Sequence, residues 1–343
     1  MKYTRIQKKQ LLIYILVAYG IPYLMGFLMW YGYGQGTDLS AFANAQMMYP
    51  AAGVILAFLV TKREEEIQLP KRFFITYLVI TAVMLLLSIA SVVVPMGTLW
   101  MGMISSAIIV GSIIAWIMLL TEKKEKRKAF GLRAARWKSS LFCILLFVVL
   151  YFARTAIAYA LGGQISMMGD IFTSRNTWIM LAVLPVNFFL VFVAFFGEEY
   201  GWRYFLQPML QKRFGLRAGV ILLGVLWGIW HLPINFFYYS PGSGLASAAG
   251  QQITCITLGI FFAYAYMKTQ NIWVPVILHY LNNNLVPIIT ASYGADVLQN
   301  QQTSWSALLP ALLLNGLVFG FFLLAKEFRK KDPKVQEIGE GER

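Results

Sequence analysis

The stretch FFGEEYGWRYF, residues 195–205, ends an apolar run with two adjacent carboxylates and an arginine. Glu199 and Arg203 are four residues apart with the glutamate first, the favourable order for an ion pair along a helix. Such a pair neutralises one carboxylate and leaves Glu198, on another face, free to act as a general base. The chain holds 15 acidic residues and two histidines. Glu198 and Glu199 are the acids that fall inside apolar segments, and both histidines do the same: His231 in LWGIWHLP and His279 in VPVILHYLNNN. His279 and Asn283 share one helix face at i,i+4, so an imidazole N–H and an amide NH₂ point together, a donor pair suited to a developing oxyanion. Trp227, one turn before His231, is placed to orient that ring.

The elements that must carry these groups are membrane helices. Of the 343 residues, 59% are hydrophobic and 13% charged, and mean hydropathy is +0.63; a soluble domain carries nearer a quarter charged residues. A bilayer-spanning helix needs about 20 mostly apolar residues. Eight segments meet that need: 11–33, 73–94, 99–120, 141–161, 178–196, 216–237, 249–267 and 306–325. Two more are shorter or interrupted, 45–60 with Pro50 and 273–290 with Pro275. The expected fold is an all-α polytopic bundle of about ten spans in a cell membrane. The first segment reads as a retained span, being too long for a signal-peptide core and lacking a cleavage site.

The net charge of +14 does not mark a nucleic-acid binder, because its distribution follows the membrane. With both termini cytoplasmic, the inner segments carry Lys2, Arg5, Lys8 and Lys9, then Lys62, Arg63, Lys71 and Arg72, then the run EKKEKRKAFGLRAARWK, then Lys212, Arg213, Arg217, Lys268 and the tail. Of the outer loops only the one with Arg175 is basic. That is the positive-inside pattern, and the expected partner of those loops is anionic lipid. The chain divides into scaffold helices (1–140), a functional core (141–325, its motifs within 178–290) and a cytoplasmic tail (326–343). Cys143 and Cys255 have no metal or redox spacing and read as packing residues. The echo LPVNFF (184–189) and LPINFF (232–237) is too short to establish an internal repeat.

Depth allows the rare polar groups to meet. The helices bearing Glu198 and His231 turn around at KRFGLR, and each group lies 14 residues from that turn, or about 21 Å at 1.5 Å per residue. His279 lies about 16 Å in from Lys268 by the same rise. The segment from 178 to 212 is overlong, and Gly201 or Pro208 is expected to break or bend it.

Taken in order, EEYGWR, WGIWH and HYLNN resemble the three motifs of the CAAX-protease and bacteriocin-processing family, intramembrane endopeptidases related to the type II CAAX prenyl proteases. The resemblance covers 178–290; residues 1–140 contribute no motif. The second motif often begins with Phe where this chain has Trp227. The resemblance implies peptide-bond hydrolysis of a peptide or lipidated protein, with Glu198 activating water, His231 holding it and shuttling protons, His279 and Asn283 stabilising the oxyanion, and Glu199 and Arg203 structural. The residues leave the metal question open: Glu198, His231 and His279 could instead ligate a catalytic zinc, although the shared face of His279 and Asn283 favours no cofactor. Two other classes compete, a non-catalytic peptide-binding or immunity protein on the same fold, and a transporter using Glu198 as its proton site.

Overall fold

The computed structural model describes residues 3–61, 68–94, 96–97, 99–293 and 297–329. Lys2, Lys62, Arg63, parts of two outer loops and the tail from 330 lie outside them. Among the described residues every regular element is helical, as expected where no water is present to satisfy backbone N–H and C=O groups. The helices are α1 (Arg5–Gly34), α2 (Ser40–Thr61), α3 (Lys71–Val93), α4 (Leu99–Thr121), the short basic α5 (Lys124–Ala129), α6 (Trp137–Leu161), α7 (Ser166–Thr173), α8 (Arg175–Phe214), α9 (Leu216–Trp230), α10 (Leu232–Tyr239), α11 (Pro241–Thr269), α12 (Trp273–Asn284), α13 (Val286–Ile289) and α14 (Trp305–Val318).

Among the described residues seven of these are long and apolar enough to cross a bilayer, and eight if α9 and α10, bent by 41°, count as one. The expected ten therefore contract. The segment 273–290 stops being one helix at Leu285, two residues before Pro287, which has no N–H to continue the ladder. The segment 306–325 loses its α-helix at Val318, between the poor helix formers Gly316 and Gly320, and continues as a 3₁₀ turn. The protein is nonetheless a multi-pass membrane protein.

Where Gly201 or Pro208 was expected to break or bend the segment, α8 stays one helix but changes its winding. Residues Tyr200–Leu206 form a π-helical stretch whose end is marked by Gln207 N–H donating to the Trp202 carbonyl, five residues back. This wider winding leads into Pro208 and on to Phe214. Two glycines of α8, four residues apart, let α2 come close: a Cβ on Gly197 would lie 2.2 Å from the Met47 carbonyl, and one on Gly201 would lie 2.3 Å from Pro50 Cβ. Small residues at i,i+4 are how membrane helices bring their backbones together. At the far end of α8, Gly215 has φ +87° and makes the tight hairpin into α9.

Segments assigned to one side by charge pack among themselves. Tyr3 donates to the Met209 carbonyl, Tyr200 to that of Phe130 and Arg136 to that of Lys268. At the other end, Asn300 N–H reaches the Tyr238 carbonyl and Thr303 N–H reaches Ser243 Oγ.

Candidate active site

Glu198 and Glu199 sit at the end of the α-helical part of α8, 2% and 0% exposed, so neither is a carboxylate solvated among headgroups. Glu199 bridges two side chains: its Oε2 lies 3.2 Å from Arg203 Nε, and its Oε1 accepts from His279 Nδ1–H at 2.9 Å. The i,i+4 pair read from the sequence is present, and α12 adds a histidine to it. Arg203, also 0% exposed, lies over the Trp227 ring at 4.8 Å and the Phe262 ring at 5.5 Å, so aromatic faces replace part of its lost hydration.

Glu198 has different company. Its Oε2 accepts from Trp227 Nε1–H at 2.7 Å and Trp202 Nε1–H at 3.3 Å. Its Oε1 lies 4.0 Å from His279 Nε2, too far for a direct hydrogen bond. Since Nδ1 of His279 is held by Glu199, Nε2 is the nitrogen presented to Glu198. Phe195, Trp227 and Phe262 enclose the His279 ring at 5.5–6.0 Å between centroids.

His231 occupies the break between α9 and α10, and Pro233 explains the break. Proline at 233 removes the N–H that would pair with the Ile229 carbonyl; Tyr23 of α1 donates to that carbonyl instead, at 2.7 Å. Gln46 of α2 donates to the Trp230 carbonyl at 2.8 Å, and Asn235 donates to that of His231 at 2.9 Å. The imidazole donates from Nδ1 to the Trp227 carbonyl at 2.8 Å, which leaves Nε2 as an acceptor in the neutral ring. Trp227 therefore orients His231 through its backbone, while its indole serves Glu198. No direct hydrogen bond joins His231 to Glu198 among the described residues.

Asn283 lies one turn beyond His279 on α12, partly exposed, and its Oδ1 accepts from Asn282 Nδ2 at 2.9 Å. The structure thus brings Glu198, Glu199, Arg203, Trp227 and His279 into direct contact or near contact, with His231 adjoining through Trp227 and Asn283 at the margin. Sequence reasoning missed Trp202, although its i,i+4 spacing from Glu198 was a usable signal. It also missed Cys255, whose sulfur lies 3.7 Å from His231 Nδ1.

A zinc site would need Glu198, His231 and His279 to converge. Among the described residues no group of three or more His, Cys, Asp or Glu is arranged to hold a metal ion. Nδ1 of each histidine and Oε2 of Glu198 are already engaged. Those contacts leave Nε2 of each histidine and Oε1 of Glu198 as the donors free to ligate, the pattern in which a metal-bound histidine engages its other ring nitrogen; the reaction proposed below runs through no metal.

Comparison with known proteins reaches the same helices. Residues 178–285 match the family described as Type II CAAX prenyl endopeptidase Rce1-like, an interval that holds all three motifs. Over these helices the chain is similar to that family. Among relatives, it is 26% identical to CAAX prenyl protease 2 of Methanococcus maripaludis over 183 residues, 50% of this chain and 66% of that protein. It is 23% identical to the "Putative membrane peptidase YdiL" of Bacillus subtilis over 184 residues, 52% of this chain and 69% of that one. No solved structure gives a significant match. The family match covers α8 to α12 and leaves the N-terminal helices, which supply Tyr23 and Gln46, outside it.

Proposed function

We propose that the protein is an intramembrane endopeptidase in which Glu198 activates water. The carrying observation is a carboxylate 2% exposed, anchored through one oxygen and facing a histidine across 4.0 Å through the other. Glu198 takes a proton from a water molecule, whose oxygen attacks the scissile carbonyl carbon. The tetrahedral oxyanion accepts hydrogen bonds from the protonated His279, through Nε2–H, and from the Asn283 amide. As the C–N bond breaks, the proton held by Glu198 passes to the leaving amine, and the carboxylate is restored. His231, with Nε2 as acceptor, steadies the water and relays its proton. Glu199 and Arg203 hold the His279 ring and the helix end. Preorganised donors of this kind are commonly the largest single contribution to rate. The substrate class is a peptide or lipidated protein reaching the site from the cytoplasmic face, where the basic loops meet anionic lipid.

The test is cleavage of a diverse peptide mixture by the purified protein in detergent, with new termini read by mass spectrometry. Products that vanish with Glu198→Gln support the reading. Fragments unchanged by that substitution overturn it. Binding without cleavage would instead favour the peptide-binding class.

A further inference from the structure

Glu198 is gripped by two tryptophans, to which neither the motif reading nor the proposed reaction gives a role of their own. Trp202 reaches Oε2 from one turn further along α8, and Trp227 reaches the same oxygen from α9. Both indoles are buried, 0% and 3% exposed. Trp202 is wedged by Tyr14 and Tyr19 of α1 at 6.0 and 5.9 Å and by Trp230 at 5.5 Å between ring centroids. Trp227 is held by the Arg203 guanidinium against its face. An indole N–H donates and cannot accept, so the two rings can stabilise only an oxygen that is itself an acceptor.

We infer that Trp202 and Trp227 are positioning residues that divide the labour of the two carboxylate oxygens, anchoring Oε2 and leaving Oε1 to exchange the proton. This rests on the proteolytic reading of Glu198. A carboxylate with both oxygens free could rotate and present either one. The grip fixes its plane, so that Oε1 is the oxygen facing His279 Nε2. A phenylalanine at 227 would keep an aromatic ring but offer no donor, so the grip is a property of the tryptophan in this chain.

The test compares Trp202→Phe, Trp227→Phe and the pair, together with replacement of Trp227 by β-(3-benzothienyl)alanine, which keeps the bicyclic shape and exchanges N–H for sulfur. Hydrogen bonds to charged groups are the stronger ones, so each single change is expected to lower kcat about tenfold, with KM held within about twofold. The benzothienyl variant must reproduce the Trp227→Phe loss at an unchanged melting temperature. A benzothienyl variant with wild-type kcat, or Phe variants with kcat intact, would overturn the inference. A second readout is independent of turnover: in ¹⁵N-indole spectra of the 10 tryptophans, Glu198→Ala, which removes the acceptor, should shift the Trp202 and Trp227 resonances. If the wild type cleaves nothing yet those two shift, the grip stands and the proteolytic reading is what fails. If neither resonance moves, the grip itself is refuted.

Discussion

Glu199 looks redundant beside Glu198, yet its surroundings assign it opposite work. Removing one charge of a buried pair strands the other, which costs about 3–5 kcal/mol. Glu199→Gln strands Arg203, whose side chain is 0% exposed. It is expected to lower stability by about that amount, read as a large fall in melting temperature in detergent. Glu198→Gln removes no such partner: the new amide oxygen still accepts from the indoles. That variant should abolish cleavage while melting within a few degrees of the wild type. The two adjacent glutamates are thus separable by measuring stability and turnover on the same preparations. Asn283 differs again, being partly exposed with its Oδ1 engaged by Asn282, which leaves its NH₂ to donate. Loss of one oxyanion donor typically costs 10²–10³ in kcat, and Asn283→Ala is expected to fall about that far with KM little changed. A KM effect alone would remove Asn283 from the reaction.

At the scale of elements, the site depends on how closely α8 approaches α2. The glycines flanking the glutamates at 197 and 201 set that approach, and a leucine at 201 would meet Pro50. Gly201→Leu is expected to push α2 away, lowering the melting temperature and kcat together; a variant that loses neither would show the contact to be slack. Helix positions were legible in the sequence because apolar length and i,i+4 spacing are local. They foretold the Glu199–Arg203 pair, the hairpin at Gly215 and the convergence of Glu198 with His279. The π-helical winding ahead of Pro208 was not legible, since such a stretch depends on neighbours rather than on composition. Nor were the partners of the α9–α10 break: Tyr23 and Gln46 lie more than 180 residues away from Ile229 and Trp230 in the chain, and no spacing rule reaches that far. Residues 1–140 therefore read as motif-free scaffold, although they cap the broken helix that carries His231.

For the whole molecule, the bundle must hold its polar groups without water, and one pair outside the site shows the cost. Arg154, left without a partner by the sequence, lies within α6 and donates from Nε to Asn315 Oδ1 on α14 at 2.6 Å. Asn315 is 4% exposed. An arginine at the centre of a membrane helix costs roughly 2.5–3.5 kcal/mol on insertion scales, and Arg154, nearer the end of α6, bears part of that cost, so a partner on α14 ties that helix to the bundle by charge as well as by packing. Asn315→Leu leaves the guanidinium without this acceptor and should destabilise by about 1–3 kcal/mol. Removing both polar groups removes the unmet demand. The double variant Arg154→Leu/Asn315→Leu is therefore expected to recover most of the melting temperature lost in the single one. Equal losses in single and double variants would mean that Asn315 serves only by its shape. Since α14 lies outside the matched interval 178–285, this pair should alter stability while kcat stays within about twofold, the behaviour expected of distant and independent sites.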